Sequence, residues 1–413
     1  MDITGMKLKP ILFLLLLFTL MGCAGKSIPI GNPELPYPPQ FEAAVGQVLH
    51  MPTGLETSKE TMLEHAAETR IVYVGETHDN PASHRLQLEI LSHMQQENPG
   101  KVTLAMEMFT PEQQEVLDRW TAGELSEKEF LKEVNWYKTW QMDFAYYRPL
   151  LAFARDNQIP VRGINAPKEL VRAIGMAPVD EQPTEIKNRL PEFDLTDPYQ
   201  QAMTKAIYGA HPVSDSMKAG FLRIQTLWDE SMAENLTDYL QSDQGTGRQV
   251  VVVAGGNHVS YGFGIPRRVF RRLPLSYLLI GSKTIEIEAG KEVETMKVTM
   301  PSFPMPPYHF LTYTIYENLP SKGVKLGVQL QEIENNVAVV AVVPGSAAEH
   351  AGIIADDILR MIDGIKVEES FDLIYQLKQK QETDGATLSV EREGQLMEIE
   401  VDFTKAKSHH PPK

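Results

Sequence analysis

Cysteine is almost absent from this chain, and long apolar runs and an excess of basic residues are missing. The chain of 413 residues contains one cysteine, which excludes an intramolecular disulfide. Lys and Arg total 39 against 55 Asp and Glu, and the net charge of −16 argues against nucleic acid or anionic lipid as the main partner. A serine nucleophile elbow, a Walker phosphate loop and a G-x-G-x-x-G fingerprint are also missing. The remaining composition, 42% hydrophobic and 23% charged, is typical of globular domains.

The amino terminus has the layout of an export signal. Lys7 and Lys9 precede an apolar run at residues 11–20 that is too short to span a bilayer. The Leu-Met-Gly before Cys23 resembles the bacterial lipobox, which implies a signal peptide at 1–22 and a lipid on Cys23. Because Ala24 follows, the resemblance implies an outer-membrane location facing the periplasm. The alternative is an ordinary secretory signal with a chance cysteine.

A proline-rich segment separates this signal from the first domain. Five prolines within residues 23–40 predict an extended tether. The pattern of a folded domain begins near residue 41 and continues to about residue 316.

Three apolar runs in this domain end in residues that carry chemistry. The runs cover residues 71–74, 102–106 and 250–253, and helical patterns lie between them. The side chains that follow the runs are Glu76 and His78, Glu107, and His258. The alternation predicts an α/β fold, a mostly parallel sheet with helices on both faces and large helical insertions. Because sites form at the carboxyl ends of parallel strands, we expect these side chains to converge.

The converging side chains suit a divalent metal. Imidazole nitrogens of His78 and His258 with carboxylates of Glu76 and Glu107 form a ligand set for zinc, iron or manganese. Two alternatives stay open. Each histidine is a capping or core residue, or Glu76 orients His78 instead of binding the metal. His84 and His93 are expected at the surface.

From about residue 322 the pattern changes. Its successive elements are P-G-S-A-A at 344–348, A-G-I at 351–353, D-D-I-L at 356–359 and I-D-G at 362–364. This order resembles a bacterial-type PDZ domain over residues 322–403, a small β-sandwich with two helices, followed by a tail at 404–413.

The PDZ resemblance implies a peptide-binding groove. Backbone N–H groups of one loop would hold a peptide's terminal carboxylate, and the loop residues are Lys325, Leu326, Gly327 and Val328. A helix predicted over residues 371–380 forms the far wall, with Ile374 and Leu377 facing the groove. The alternative is that this domain packs on its neighbour and binds no peptide.

Four segments of the first domain carry a second resemblance. They are GETHDNPASHRLQLEIL (75–91), LAMEMF (104–109), YYRPLLAFARDNQIPVRGINAP (146–167) and VVVAGGNHVSYGFGIPRRV (251–269). Together they resemble the ChaN-type haem-binding lipoproteins, within the superfamily of Tiki metalloproteases, TraB proteins and erythromycin esterases. The match covers residues 41–316. The ChaN branch implies haem held through tyrosine; the Tiki branch implies a hydrolytic metal held by two G-x-x-H motifs.

Several side chains are candidates for holding haem. Tyrosine oxygen is a known haem ligand, and the candidates are Tyr146, Tyr147 and Tyr261. Guanidinium groups that suit propionates are those of Arg148, Arg267 and Arg268. An apolar wall is expected from Met106, Met108, Met142, Trp136 and Trp140. The alternative is that these aromatic and methionine side chains form the core.

The leading hypothesis is therefore an outer-membrane-anchored haem- and iron-binding lipoprotein involved in uptake. Its PDZ domain would dock to the C-terminal tail of an envelope protein. One alternative is a metal-dependent envelope peptidase in which Glu76 and Glu107 are catalytic. Another alternative is a PDZ scaffold with a vestigial site. For the oligomeric state, a homodimer is one alternative.

Overall fold

The computed structural model describes residues 42–208, 214–291, 298, 300–319, 323–334 and 336–406. The predicted signal peptide, Cys23, the tether and residues 407–413 lie outside them. Within these ranges, no helix combines the length and apolar content that crossing a bilayer requires.

A mostly parallel sheet organises the first domain. Its strands in the described residues are β1 (Val48–His50), β2 (Leu55–Thr57), β3 (Ile71–Glu76), β4 (Val102–Met106), β5 (Val161–Gly163), β6 (Gln249–Gly255), β7 (Tyr277–Ile287) and β8 (Phe310–Tyr316). Their order is β2-β1-β8-β7-β3-β6-β4-β5. The six strands from β8 to β5 are parallel, and β1 and β2 extend one edge as an antiparallel hairpin. The predicted α/β class is confirmed.

Helices cover both faces of this sheet. They are α1 (Lys59–Glu68), α2 (Pro81–Glu97), α3 (Gln114–Thr121), α4 (Glu127–Glu133), α5 (Trp136–Thr139), α6 (Arg148–Asp156), α7 (Lys168–Met176), α8 (Thr184–Lys187), α9 (Pro198–Tyr208), α10 (Asp215–Gln241), α11 (Gly256–Val259) and α12 (Ile265–Arg272). Short 3-10 turns lie at Pro111–Gln113, Phe144–Tyr146, Val179–Glu181 and Ser260–Gly262.

Successive side chains of β3 point to opposite faces of the sheet, and both sets are apolar, so helices cover both faces. Val72 and Val74 point into a core shared with α2, α3 and α6. Ile71 and Tyr73 point into the opposite core, shared with α10 and α12. All six residues of β3 are buried, as expected for a central parallel strand that reads as a continuous apolar run.

A short capped turn joins the end of β3 to the start of α2. Asn80 caps α2, because its side chain accepts a hydrogen bond from the Ala82 N–H at 3.2 Å, and Pro81 occupies the first turn. The chain therefore turns within three residues of Glu76, and His78 lies in that turn.

The second domain is an antiparallel β structure. Its elements are β9 (Val328–Ile333), β10 (Asn336–Val342), α13 (Ala347–Ala351), β11 (Ile358–Ile362), β12 (Ile365–Lys366), α14 (Ser370–Lys378), β13 (Gly385–Arg392) and β14 (Gln395–Asp402), followed by a 3-10 turn at Phe403–Lys405. The strand order is β14-β13-β11-β10-β9, and β12 pairs with β11. Val337, Leu359, Ile362 and Leu388 are fully buried in its own core. This agrees with the predicted PDZ architecture.

Candidate functional site

Three neighbouring parallel strands deliver the candidate side chains to one edge. β3 lies beside β6, and β6 lies beside β4. Glu76 ends β3, Glu107 follows β4, and His258 lies in the turn of helix after β6. These residues and His78 line a single cavity.

Glu76 is a buried carboxylate with both oxygens engaged. Its Oε1 accepts a hydrogen bond from the Tyr147 hydroxyl at 2.8 Å and lies 2.7 Å from His78 Nδ1. Its Oε2 accepts from Gln87 Nε2 at 2.6 Å. Burial opposes ionisation, but nearby His84 and the hydrogen bonds from His78 and Gln87 outweigh it and lower the pKa of Glu76 to about 2. Glu76 therefore lies in hydrogen-bond contact with the His78 ring, and its orienting role, one of the two sequence-based alternatives, stays a prediction.

His78 is held as an imidazolium at the cavity wall. Burial lowers its pKa, but the Glu76 hydrogen bond and the charges of Glu76 and Glu107 prevail and raise that pKa to about 9. The edge of Trp140 meets the ring at 5.2 Å between centroids. Gly255 makes room for it, because a Cβ at this position would lie 3.0 Å from His78 Nε2.

His258 has a similar arrangement built from different elements. Its Nδ1 lies 2.7 Å from Asp229 Oδ1, and its Nε2 lies 3.4 Å from Glu107 Oε1. Burial lowers the pKa of His258, while the charges of Glu107 and Asp229 outweigh burial and raise it. Glu107 also accepts a hydrogen bond from the Gly255 N–H at 2.7 Å, which fixes the carboxylate between the two strand ends.

Sequence reasoning missed several members of this network. Gln87 and His84 come from α2, and Asp229 and Gln225 come from α10. The surface prediction for His84 is wrong, since it is 5% exposed and its Nε2 lies 3.0 Å from the His78 carbonyl oxygen. The available signal was polar residues on the helix face that also carries Leu86 and Ile90.

The predicted metal centre is not supported. In the described part of the chain, no group of three His, Cys, Asp or Glu side chains is arranged to hold a metal ion. The oxygens of Glu76 and Glu107 accept hydrogen bonds, and each imidazole has a carboxylate partner. The His78 and His258 imidazoles instead line the cavity, each beside a carboxylate.

The cavity is large and mainly apolar. Its volume of about 1640 Å³ exceeds the roughly 300–1,000 Å³ of pockets for drug-sized ligands. Apolar side chains in its wall include Met108, Trp140, Met142, Phe221, Ile224 and Trp228. Two cationic side chains, Lys168 and Arg172, belong to the same wall.

The three candidate tyrosines are placed differently. Tyr261 is half-buried in the cavity wall, stacked on Phe263 at 5.5 Å, with a φ of 59° that non-glycine residues rarely adopt. Tyr147 is fully buried and donates its hydroxyl hydrogen to Glu76. Tyr146 is 7% exposed and packs beside His84 at 5.5 Å.

Of the other residues predicted to contact haem, some line the cavity and the rest lie elsewhere. Met108, Met142 and Trp140 line the cavity, whereas Met106 and Trp136 are fully buried in the core. The three arginines are paired with acids of the first domain rather than with the cavity. These pairs are Arg148 with Glu127, Arg267 with Asp197, and Arg268 with Glu230.

The predicted peptide-binding loop keeps a special backbone conformation. Gly327 has a φ of 84°, and a Cβ there would lie 2.2 Å from the Ser346 Cβ, so only glycine fits. Leu326 is buried, Val328 is half-buried and Lys325 is exposed. Leu377 lies in the PDZ core, and Ile374 is half-buried on the same helix.

These observations define a two-domain protein: an α/β domain with a large cavity at the carboxyl edge of its sheet, and a PDZ-like β domain. A family model described as haem-binding uptake, Tiki superfamily, ChaN matches residues 62–269, which is half of the chain. The chain belongs to this ChaN family. A PDZ domain model matches residues 324–403.

Individual proteins similar to this chain were also found. A solved structure showing cofacial haem binding to ChaN of Campylobacter jejuni covers 66% of this chain and 98% of its own, at 17% identity and a TM-score of 0.50, and shows the fold. The Arabidopsis thaliana protein RETICULATA-RELATED 5, chloroplastic, is 26% identical over 252 residues. That match covers 56% of this chain but only 34% of the plant protein. A Yersinia pestis serine endoprotease covers 20% of this chain and 28% of its own, at 18% identity and a TM-score of 0.18.

Proposed function

We propose that this protein binds haem in the cavity at the carboxyl edge of its parallel sheet, as part of haem or iron uptake. The cavity itself carries the proposal, because its volume of about 1640 Å³ and its apolar wall suit a large, flat, apolar ligand. The fold is shared with ChaN of Campylobacter jejuni, which binds haem.

The side chains of the cavity fit the chemistry of haem. The phenol of Tyr261 offers an oxygen ligand to ferric iron, which is the electrophilic centre that bound haem would supply. Burial raises the pKa of Tyr261, so the phenol stays protonated until it binds a metal cation, which would displace the proton. Lys168 and Arg172 offer cationic groups to propionates. Tyr146, Tyr147 and Arg148 are less suited, because they lie outside the cavity wall.

Titration of the purified protein with ferric haem tests this proposal. We expect saturable binding with a tyrosinate-type ferric spectrum, because a phenolate oxygen would be the iron ligand. A flat titration, together with peptide hydrolysis that appears only when zinc is added, would instead favour the peptidase alternative.

We propose separately that the protein is anchored to the outer membrane by a lipid. A lipid on Cys23 would hold the haem domain at the outer membrane, and the proline-rich tether would separate the two. Replacing Cys23 by serine is expected to release the protein from the membrane fraction and to remove the lipid mass. Unchanged fractionation of Cys23→Ser, or a mature chain without lipid, would contradict it.

The PDZ domain is proposed to bind the C-terminal tail of an envelope protein. β9 is an edge strand of its sheet, so a peptide strand can add to it beside α14. Peptides with free terminal carboxylates, selected from a random library on the full chain, are expected to lose at least about tenfold in affinity when amidated, since the charge-assisted hydrogen bonds are lost. Equal binding of the amidated peptides would argue against carboxylate capture.

A further inference from the structure

The PDZ helix α14 packs against both domains. Leu373 and Leu377 on one face are buried in the PDZ core. Phe371 and Tyr375 on another face pack against the core of the first domain. The helix that the PDZ resemblance assigns to the groove wall is therefore also part of the interface between the domains.

Ion pairs hold this helix to the first domain at both ends. They are Lys132 Nζ with Glu369 Oε1 at 3.0 Å, Lys128 Nζ with Asp372 Oδ1 at 3.0 Å, and Lys378 Nζ with Asp143 Oδ2 at 2.9 Å. The Lys378 and Asp143 side chains are only 25% and 19% exposed. Pairs of this kind, grouped around the aromatic contacts, oppose sliding or rotation of the helix.

The segment of the first domain that receives α14 also forms the cavity wall. On the PDZ side, the Tyr137 ring lies 5.7 Å from Phe371, and Asp143 pairs with Lys378. On the cavity side, Trp140 and Met142 line the cavity, and Trp140 meets His78 at 5.2 Å. Behind this wall, Tyr147 donates to Glu76. Residues 136–147 therefore lie between α14, the wall of the proposed peptide groove, and the cavity.

We propose that this shared segment couples the PDZ groove to the cavity, so that a ligand in either site changes the affinity of the other. Close-packed interiors transmit a displacement, because side chains in contact cannot move independently. By linkage the effect is reciprocal: the factor by which haem changes peptide affinity equals the factor by which peptide changes haem affinity. The expected change in haem affinity rests on the proposed function, whereas the packing contact between α14 and residues 136–147 does not.

Amide hydrogen exchange of the full chain tests the link without any ligand. Lys378→Glu places two negative charges together at Asp143, and we expect exchange about fivefold faster both in residues 370–378 and in residues 136–147. The double variant Asp143→Lys/Lys378→Glu restores the attraction and is expected to restore slow exchange. Lys366→Glu is the matched control, because Lys366 pairs with Glu368 inside the PDZ domain at an exposed position.

A second variant removes the aromatic contact without altering charge. Phe371→Ala deletes the ring that meets Tyr137, and its side chain is outside the PDZ core, so the PDZ fold should persist. Faster exchange confined to residues 370–378 in both variants, or no change in either, would overturn the proposal. Faster exchange in residues 136–147 would support it.

Ferric haem affinity provides the second readout. Lys378→Glu is expected to weaken haem binding about fivefold, the lower end of typical coupling factors, and the charge-swapped double variant is expected to recover it. Equal affinity in wild type and Lys378→Glu overturns the coupling. If the wild type binds no haem, the proposed function fails, and the exchange experiment still decides whether the two regions are linked.

Discussion

Replacing Tyr261 by phenylalanine is expected to abolish the tyrosinate spectrum of the haem complex and to weaken ferric haem binding by at least about tenfold. The phenol lies in the cavity wall, and loss of an iron ligand removes its bond outright. The ring itself is retained, so its contacts with Phe263 and Phe303 persist. Absorbance titration of both proteins provides the measurement.

Tyr199→Phe is the matched control for this experiment. Tyr199 also stacks on Phe263, at 5.0 Å, but it is absent from the cavity wall. The Tyr199 variant is expected to titrate as the wild type does. If Tyr261→Phe keeps the tyrosinate spectrum while Tyr147→Phe or Tyr146→Phe loses it, the ligand lies immediately before α6, and the assignment to Tyr261 is wrong.

The substitution Glu76→Gln is expected to cost about 1–3 kcal/mol of unfolding free energy, the range for leaving buried hydrogen-bonding groups unsatisfied. The Glu76 side chain is fully buried, but the His78 ring is 37% exposed, so water screens the attraction between their charges and the lost hydrogen bonds dominate the cost. Both Glu76 oxygens accept hydrogen bonds in the wild type. In glutamine, one of these oxygens becomes an N–H₂ group, which would face a hydrogen-bond donor. Denaturant unfolding measures the loss.

Glu127→Gln is the corresponding control. Glu127 pairs with Arg148 near the surface, where such a pair contributes about 0–1 kcal/mol. A loss for Glu76→Gln no larger than that for Glu127→Gln would show that the hydrogen bonds of Glu76 do not stabilise this edge of the sheet.

The same pair sets a pH dependence of stability. The pKa of His78 is raised from 6.5 to about 9, so its contribution is complete below pH 6.5 and disappears as the pH rises through 9. The pKa of Glu76 is lowered from 4.5 to about 2, so its contribution is complete above pH 4.5 and disappears towards pH 2. The pair therefore stabilises fully between pH 4.5 and 6.5. Glu76→Gln is expected to lower the His78 pKa, which an NMR titration of the imidazole measures.

Local sequence patterns were sufficient for the strands of the parallel sheet and for the order of the PDZ elements. Residues 71–74 and 250–253 are apolar on both faces of the strand, and only a central parallel strand buries both faces. Their ends carry Glu76 and His258, so the site edge was predictable. The Gly327 loop and the series from Pro344 to Gly364 likewise depend on short-range turn chemistry.

Only the tertiary structure decided which side chains meet. Asp229 contacts His258 from a helix whose own pattern does not mark that residue, and Tyr147 contacts Glu76 from a segment 71 residues away. The burial of His84 and the docking of Phe371 on the first domain also depend on contacts between distant segments. Periodicity shows which face of an element is buried, whereas the identity of the neighbour depends on how the elements pack. The cavity and the residues that join the two domains were therefore not readable from the sequence.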